Sequence, residues 1–242
     1  MKNVLITGAS RGIGAAISEK FAQGGYNLSL CCHNSSDELM SLSEQLMSKY
    51  GITVLTHIGD VAEHEFVKNM VSATIDALGS IDILINNAGI SYVGLLTDMD
   101  IDCWNKVIST NLTSVFSTCR YVIPDMLTRK KGKIINISSV WGNVGASCEV
   151  AYSASKGGIN SMTRALGKEL APSNIQVNAI ACGVINTDMN SCFTAEDKEA
   201  LSRDIPAGRF GKPSEVAELA YDLCRGNSYL TGQIITLDGG WI

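Results

Sequence analysis

Histidine and proline are scarce in this chain: three of the first and four of the second in 242 residues. Three histidines leave little from which to build a zinc site, and the eight cysteines include no C-x-x-C pair, so neither a metal framework nor a disulfide scaffold is supported. The thiols read as reduced and mostly as packing groups, and no metal ligand set is expected. Basic residues are also in deficit, 19 Lys and Arg against 24 Asp and Glu, and a net charge of −5 argues against nucleic acid or an anionic membrane as a partner. No charged-apolar-small leader and no long apolar run is present, so a cytoplasmic protein is expected. Repeats, linkers and low-complexity tracts are missing too. The simplest account is one domain over residues 1–242, long enough to bury a substantial core.

What is present is an alternation. Strand-like apolar runs near 3–7, 27–32, 53–59, 81–86, 133–138, 175–181 and 233–237 are separated mostly by helical stretches. That pattern predicts an α/β fold of Rossmann type: a doubly wound parallel sheet of about seven strands with helices on both faces. The least regular stretch is Asn190–Lys212, after the sixth strand.

The first strand runs into Thr7-Gly-Ala-Ser-Arg-Gly-Ile-Gly14 and then an amphipathic helix carrying Ile13, Ala16, Ile17, Phe21 and Ala22. Glycines at 8, 12 and 14 are not the G-x-G-x-x-G spacing, but they are the same physical device. Bare backbone N–H groups and a helix N-terminus are brought up to a phosphate, with Gly8, Ser10, Arg11, Gly12, Ile13 and Gly14 as the contact surface. A glycine-rich turn can also be a plain connector.

Tyr152 and Lys156 stand four apart in a run, Tyr152–Ala171, that looks helical, so they share one face. A free phenol has a pKa of about 10 and needs a nearby positive charge to trade protons near neutral pH. Lys156 can provide that charge. The same spacing also occurs on ordinary surface helices, and what distinguishes this one is Ser139, thirteen residues earlier, at the end of the apolar run Lys133-Ile-Ile-Asn-Ile-Ser-Ser139. Sites in open α/β sheets lie at the carboxyl ends of strands, where a serine hydroxyl can reach a substrate carbonyl.

Together with Asp60-Val61, Asn86-Asn-Ala-Gly89, Asn111 and Leu237-Asp-Gly-Gly-Trp241, these motifs resemble a short-chain dehydrogenase/reductase over essentially the whole chain. Gly208-Arg-Phe-Gly-Lys-Pro213 and Tyr229-Leu-Thr-Gly-Gln233 are most similar to the 3-oxoacyl-[acyl-carrier-protein] reductase branch. The resemblance implies that Asp60 and Val61 meet the adenine, that Asn87, Ala88 and Gly89 line the ribose, and that Ile185 and Thr187 fix the carboxamide. It further implies that Asn111 kinks a long helix and anchors a proton-relay water, that Lys156 also binds the nicotinamide ribose, that 190–212 is a lid, and that the protein is a homotetramer. Apolar residues on Asp102–Arg129 and Tyr152–Ala171, including Val115, Phe116, Ile159, Met162 and Ala165, are the expected interface surplus.

The cofactor expected is NADP(H). A carboxylate ending the second strand would favour NAD, but that end reads Leu30-Cys-Cys-His-Asn-Ser-Ser36, with no acid until Asp37. Arg11 can clamp a 2′-phosphate, with His33, Asn34 and Ser35 as helpers; Arg11 as a plain solvated charge is the alternative. The reaction is then reduction of a ketone, small or carried on a protein, to a secondary alcohol, with a 3-oxoacyl thioester as first substrate. Two features point elsewhere: Ser173 stands where relatives often carry a carrier-docking arginine, although Arg129-Lys-Lys131 still offers a basic patch, and Cys182 stands where the family usually has proline. Together with Gly145-Ala-Ser-Cys-Glu149, the second resembles the elongation factor P 5-aminopentanone reductases, in which Glu149 could pair with a substrate amine or be a surface acid near a helix start. A non-catalytic dinucleotide-binding regulator is the reading from another class.

Overall fold

A computed structural model describes residues 1–190 and 194–242. Seven strands, β1 (Asn3–Thr7), β2 (Asn27–Cys32), β3 (Val54–Ile58), β4 (Ile83–Asn86), β5 (Gly132–Ser139), β6 (Ile175–Cys182) and β7 (Ile234–Leu237), form a single sheet in the order β3-β2-β1-β4-β5-β6-β7. Every pairing is parallel. The chain reverses its direction of travel between β1 and β4, which makes the crevice beyond Thr7 and Asn86 the switch point of the sheet. The helices are α1 (Gly12–Gln23), α2 (Ser36–Tyr50), α3 (His64–Leu78), α4 (Ile101–Ile108), α5 (Ser114–Arg129), α6 (Trp141–Val144), α7 (Val150–Leu170), α8 (Ala195–Asp204) and α9 (Pro213–Cys224). None of the described helices is long and apolar enough to cross a membrane.

The strands are apolar on both faces, as strands covered on both sides must be. Val4, Ile6, Ile83, Ile85, Ile135 and Ile137 point into one core with Ile17 and Phe21 of α1, Leu39 of α2 and Val216 of α9. Their neighbours Leu5, Leu84 and Ile134 point into the other, with Val67 of α3, Val122 of α5 and Ile159 of α7. The period of two in the strands therefore assigns each helix to a face.

The first two strands keep the expected bounds, the other five shift by one or two residues, and the helical regions add detail. The fourth strand starts at Ile83, two residues later than expected; Ile81 N–H is taken by the Asp125 carboxylate (3.2 Å) instead of a neighbouring strand. The long helix around Asn111 is broken, as the resemblance implies, by a π-turn at Ser109–Thr113 with Asn111 buried inside it. The stretch 190–212 contains a regular helix, α8, whose Thr194 cap accepts from Asp197 N–H, whereas residues 191–193 of that stretch lie outside the described ones. The apolar surplus assigned to an interface is also partly internal. Val115 and Ile159 are buried in this chain's own second core, while Phe116 is 50% exposed.

Candidate active site

Contacts as well as backbone freedom require the glycines after β1. A Cβ on Gly14 would lie 2.0 Å from Gly8 O, and one on Gly8 would lie 2.9 Å from Ala88 Cα, with Gly8 already at a φ of +65°. The Asn87 carboxamide braces this turn, donating to Thr7 O (3.0 Å) and Gly8 O (2.8 Å). Thr7 Oγ1 in return accepts from Asn87 N and Ala88 N, each at 3.1 Å. Arg11 occupies the cap position of α1 without a capping side-chain bond, so the first N–H groups of that helix, flanked by Ser10 and Ile13, are open to an anion. These bare amides, with glycine surfaces on both sides, fit a dinucleotide's phosphates.

Other predicted residues surround the same turn. Thr187 packs on Gly12, whose added Cβ would sit 3.4 Å from Thr187 Cγ2, and Ile185 is held by a parallel bridge to Gly211. Arg11 Nε lies 3.7 Å from Asp188 Oδ2 in an exposed pair, which holds the guanidinium only weakly and leaves it able to turn to a ligand. At the end of β2 the thiols of Cys31 and Cys32 are buried, His33 and Asn34 are exposed, and Ser35 caps α2. Asp60, after β3, accepts from Ala62 N–H (2.9 Å) and stands 3.8 Å from His33 Nδ1; Val61 is buried beside it.

The reactive groups gather beyond β5 and β6. α7 places Tyr152 and Lys156 one turn apart, with the ammonium 5.5 Å from the centre of the phenol ring. Lys156 Nζ donates to Ile137 O at 2.9 Å, and the residue is only 4% exposed. Burial pushes the ammonium down to about 8. The phenol of Tyr152 is pushed up, chiefly by burial and then by the neighbouring Cys182, while Ser139 as a hydrogen-bonding neighbour lowers it. Its ring is only partly covered, so solvent tempers that rise. The ammonium is bonded to a carbonyl and lies beside the phenol ring, and burial is the first cause of the phenol's rise. Ser139, the last residue of β5, accepts from Trp141 N–H at 3.2 Å.

Asn111 clamps a backbone. Its Oδ1 accepts from Ile90 N–H (2.8 Å), and its Nδ2 donates to Ile90 O (2.9 Å) and to Ser155 Oγ (3.0 Å). Gly89 lies between it and the lysine: a Cβ there would be 3.4 Å from Asn111 Oδ1 and 3.6 Å from Lys156 Nζ. The sequence reading gave no role to Thr118, Asn136 and Thr163, which with Asn86 hold this arrangement. Asn86 Nδ2 donates to Asn136 Oδ1 (2.8 Å), Thr118 Oγ1 to Asn86 Oδ1 (2.7 Å) and Asn136 Nδ2 to Thr163 Oγ1 (2.9 Å), joining β4, β5, α5 and α7 in one buried chain. The signal was available as asparagines interrupting apolar strands. Cys182, in the family's proline position, extends β6 by pairing with Ser139 and Leu237.

Such a sheet edge is the working end of a Rossmann-type oxidoreductase. The chain belongs to the short chain dehydrogenase family, whose sequence profile matches residues 2–198. It is 39% identical over 241 residues to the uncharacterized oxidoreductase YmfI of Bacillus subtilis, covering 99% of this chain and 98% of the relative. It is 38% identical over 240 residues to the 3-oxoacyl-[acyl-carrier-protein] reductase FabG of Staphylococcus aureus, covering 99% and 97%. The crystal structure of a tryptophan-substituted variant of the actinorhodin polyketide ketoreductase with NADPH superimposes with a TM-score of 0.93 at 32% identity, covering 99% and 97%.

The buried ammonium has a consequence for stability. Below pH 8 Lys156 is charged both folded and unfolded, and the burial cost is fully present; between about 8 and the ordinary 10.5 the folded chain sheds its proton first and the cost fades. Without cofactor, Lys156→Met is expected to be more stable than the wild type at neutral pH by about 1–3 kcal/mol, the lost bond to Ile137 O offsetting part of the gain. Denaturant unfolding at neutral and alkaline pH checks this. An advantage that does not shrink above pH 8 refutes it.

Proposed function

We propose that the protein reduces a ketone to a secondary alcohol with NADPH, with a 3-oxoacyl thioester as its first substrate. The convergence of Ser139, Tyr152 and Lys156 at one sheet edge carries this reading. Burial keeps the phenol protonated, so Tyr152 rests as an acid able to give its proton to a carbonyl oxygen. The Ser139 oxygen is occupied by Trp141 N–H, which leaves its own proton to orient the same carbonyl. Lys156 keeps a positive charge over the phenol ring as phenolate develops, and is placed to hold the nicotinamide ribose. A nicotinamide held beside these groups would be the source of the hydride. NADP(H) is supported by the absence of a carboxylate at the end of β2 and by the exposed guanidinium of Arg11. The reading includes a homotetramer, for which exposed Phe116 and Ala165 offer surface, and a cytoplasmic location suited to free thiols.

One observation favours a second substrate, the ketone of an aminopentanone-modified elongation factor P. Glu149 bonds to Ser91 (2.9 Å), its charge reaches the Tyr152 phenol, and among the described residues no cation pairs with it. A substrate amine would neutralise it. A purely regulatory role is disfavoured, since both Tyr152 and Lys156 are kept and packed together. NADPH consumption on acetoacetyl thioesters, simple ketones and the modified elongation factor separates the three; silence on all of them returns the regulatory reading.

Tyr152→Phe is expected to abolish turnover with NADPH affinity nearly intact, as only the transferable proton is removed; retained turnover would sink the acid's role. NADPH is expected to bind more tightly than NADH by about tenfold to a hundredfold, the worth of a charge-assisted phosphate contact. Arg11→Ala removes the difference in a direct binding titration, and equal affinities in the wild type would refute the account. Glu149→Lys is expected to penalise amine-bearing ketones far more than acetoacetyl substrates assayed in parallel. Equal losses on both mean a structural role for Glu149.

A further inference from the structure

Past β7 the chain folds back toward the catalytic serine. Asp238 closes a tight turn, its carboxylate accepting from Gly240 N–H and Ile242 N–H, both at 2.9 Å. The turn is pressed from two sides. A Cβ on Gly183 would lie 2.7 Å from Asp238 Cβ, and one on Gly239 would lie 2.9 Å from both Ile205 Cγ2 and Ala207 Cβ. Ala207 N–H donates to Gly239 O at 3.1 Å, so the segment that follows α8 is bonded directly to this turn. Gly239 and Gly240 take φ values of +70° and +83°, a backbone that glycine adopts freely, and the residue that follows them is Trp241. Its indole meets that of Trp141 with ring centres 5.0 Å apart at 60°.

Trp141 is two residues beyond Ser139, and its N–H is the group that bonds Ser139 Oγ. The peptide that sets the serine hydroxyl thus belongs to the residue whose ring Trp241 packs on. We infer that Trp241 is a positioning residue for carbonyl reduction: through Trp141 it holds the Ser139 hydroxyl toward Tyr152, and it ties that hydroxyl to the Ile205–Gly208 segment after α8. The inference rests on the ketone-reductase reading above. It gives Trp241 no contact with substrate or cofactor; its effect passes through one aromatic contact and one hydrogen bond.

The test compares Trp241→Ala and Trp241→Phe with the wild type on a β-keto ester, measuring kcat, KM and NADPH binding together with the melting temperature. Trp241→Ala is expected to lose about tenfold to a hundredfold in kcat, the cost of a misplaced catalytic group, with NADPH affinity within about twofold because the glycine turn is untouched. Trp241→Phe, which keeps a ring against Trp141, recovers most of that loss. The Trp141–Trp241 pair also gives an exciton-coupled circular dichroism signal that both variants lose, which reports the contact without turnover. Three results overturn the inference: unchanged kcat in Trp241→Ala, a loss that Trp241→Phe fails to recover, or a loss that follows melting temperature alone. A wild-type enzyme that reduces no ketone sinks the reductase reading and this inference with it, whereas normal wild-type turnover matched by Trp241→Ala sinks this inference alone.

Discussion

Lys156 carries its ammonium into a place where only 4% of the residue meets solvent, and much of the nearby structure accommodates that charge. One carbonyl, Ile137 O, receives it. Glycines stand where side chains would intrude: a Cβ on Gly142 would lie 2.7 Å from the Lys156 backbone carbonyl carbon, and one on Gly89 would lie 3.6 Å from the ammonium. The close approach of α6 to α7 and the end of β5 to α7 follows from the need to bury this residue while bonding it. On the proposed reading, the charge that costs stability is the one the reaction uses, a familiar trade at functional positions.

A second constraint is polar and lies beneath the first. The chain Thr118–Asn86–Asn136–Thr163 runs across β4 and β5 through an otherwise apolar interior. Among the described residues no buried side-chain polar atom is left unpaired. Slipping β4 against β5 by one residue would orphan both asparagines at a cost far above that of an apolar mismatch, so the network pins the register that sets Asn86 level with Asn136. Asn111 does the corresponding work outside the sheet. By taking both the N–H and the C=O of Ile90, it anchors the strand-to-helix connection that borders Lys156, and the π-turn gives it the place from which to do so.

Strands, their parallel pairing and the two-faced sheet were legible in the sequence because a covered strand must be apolar along its length and the alternation with helices leaves few topologies. Tyr152, Lys156, Ser139 and the glycine turn were legible because spacing along a helix or at a strand end carries geometry with it. The sequence could not reveal how burial divides between partners. Val115 and Ile159 look like surplus apolar area until the second core claims them, and the burial that raises the phenol is invisible in a helical spacing. Contacts between distant segments, such as Asn87 with Thr7, Glu149 with Ser91 and Trp241 with Trp141, depend on chain paths that local pattern does not encode. The sequence by itself determined the kind of sheet and which groups are candidates for its chemistry; the tertiary structure decided their partners and their access to one another, because those depend on solvent exclusion and on side chains tens of residues apart.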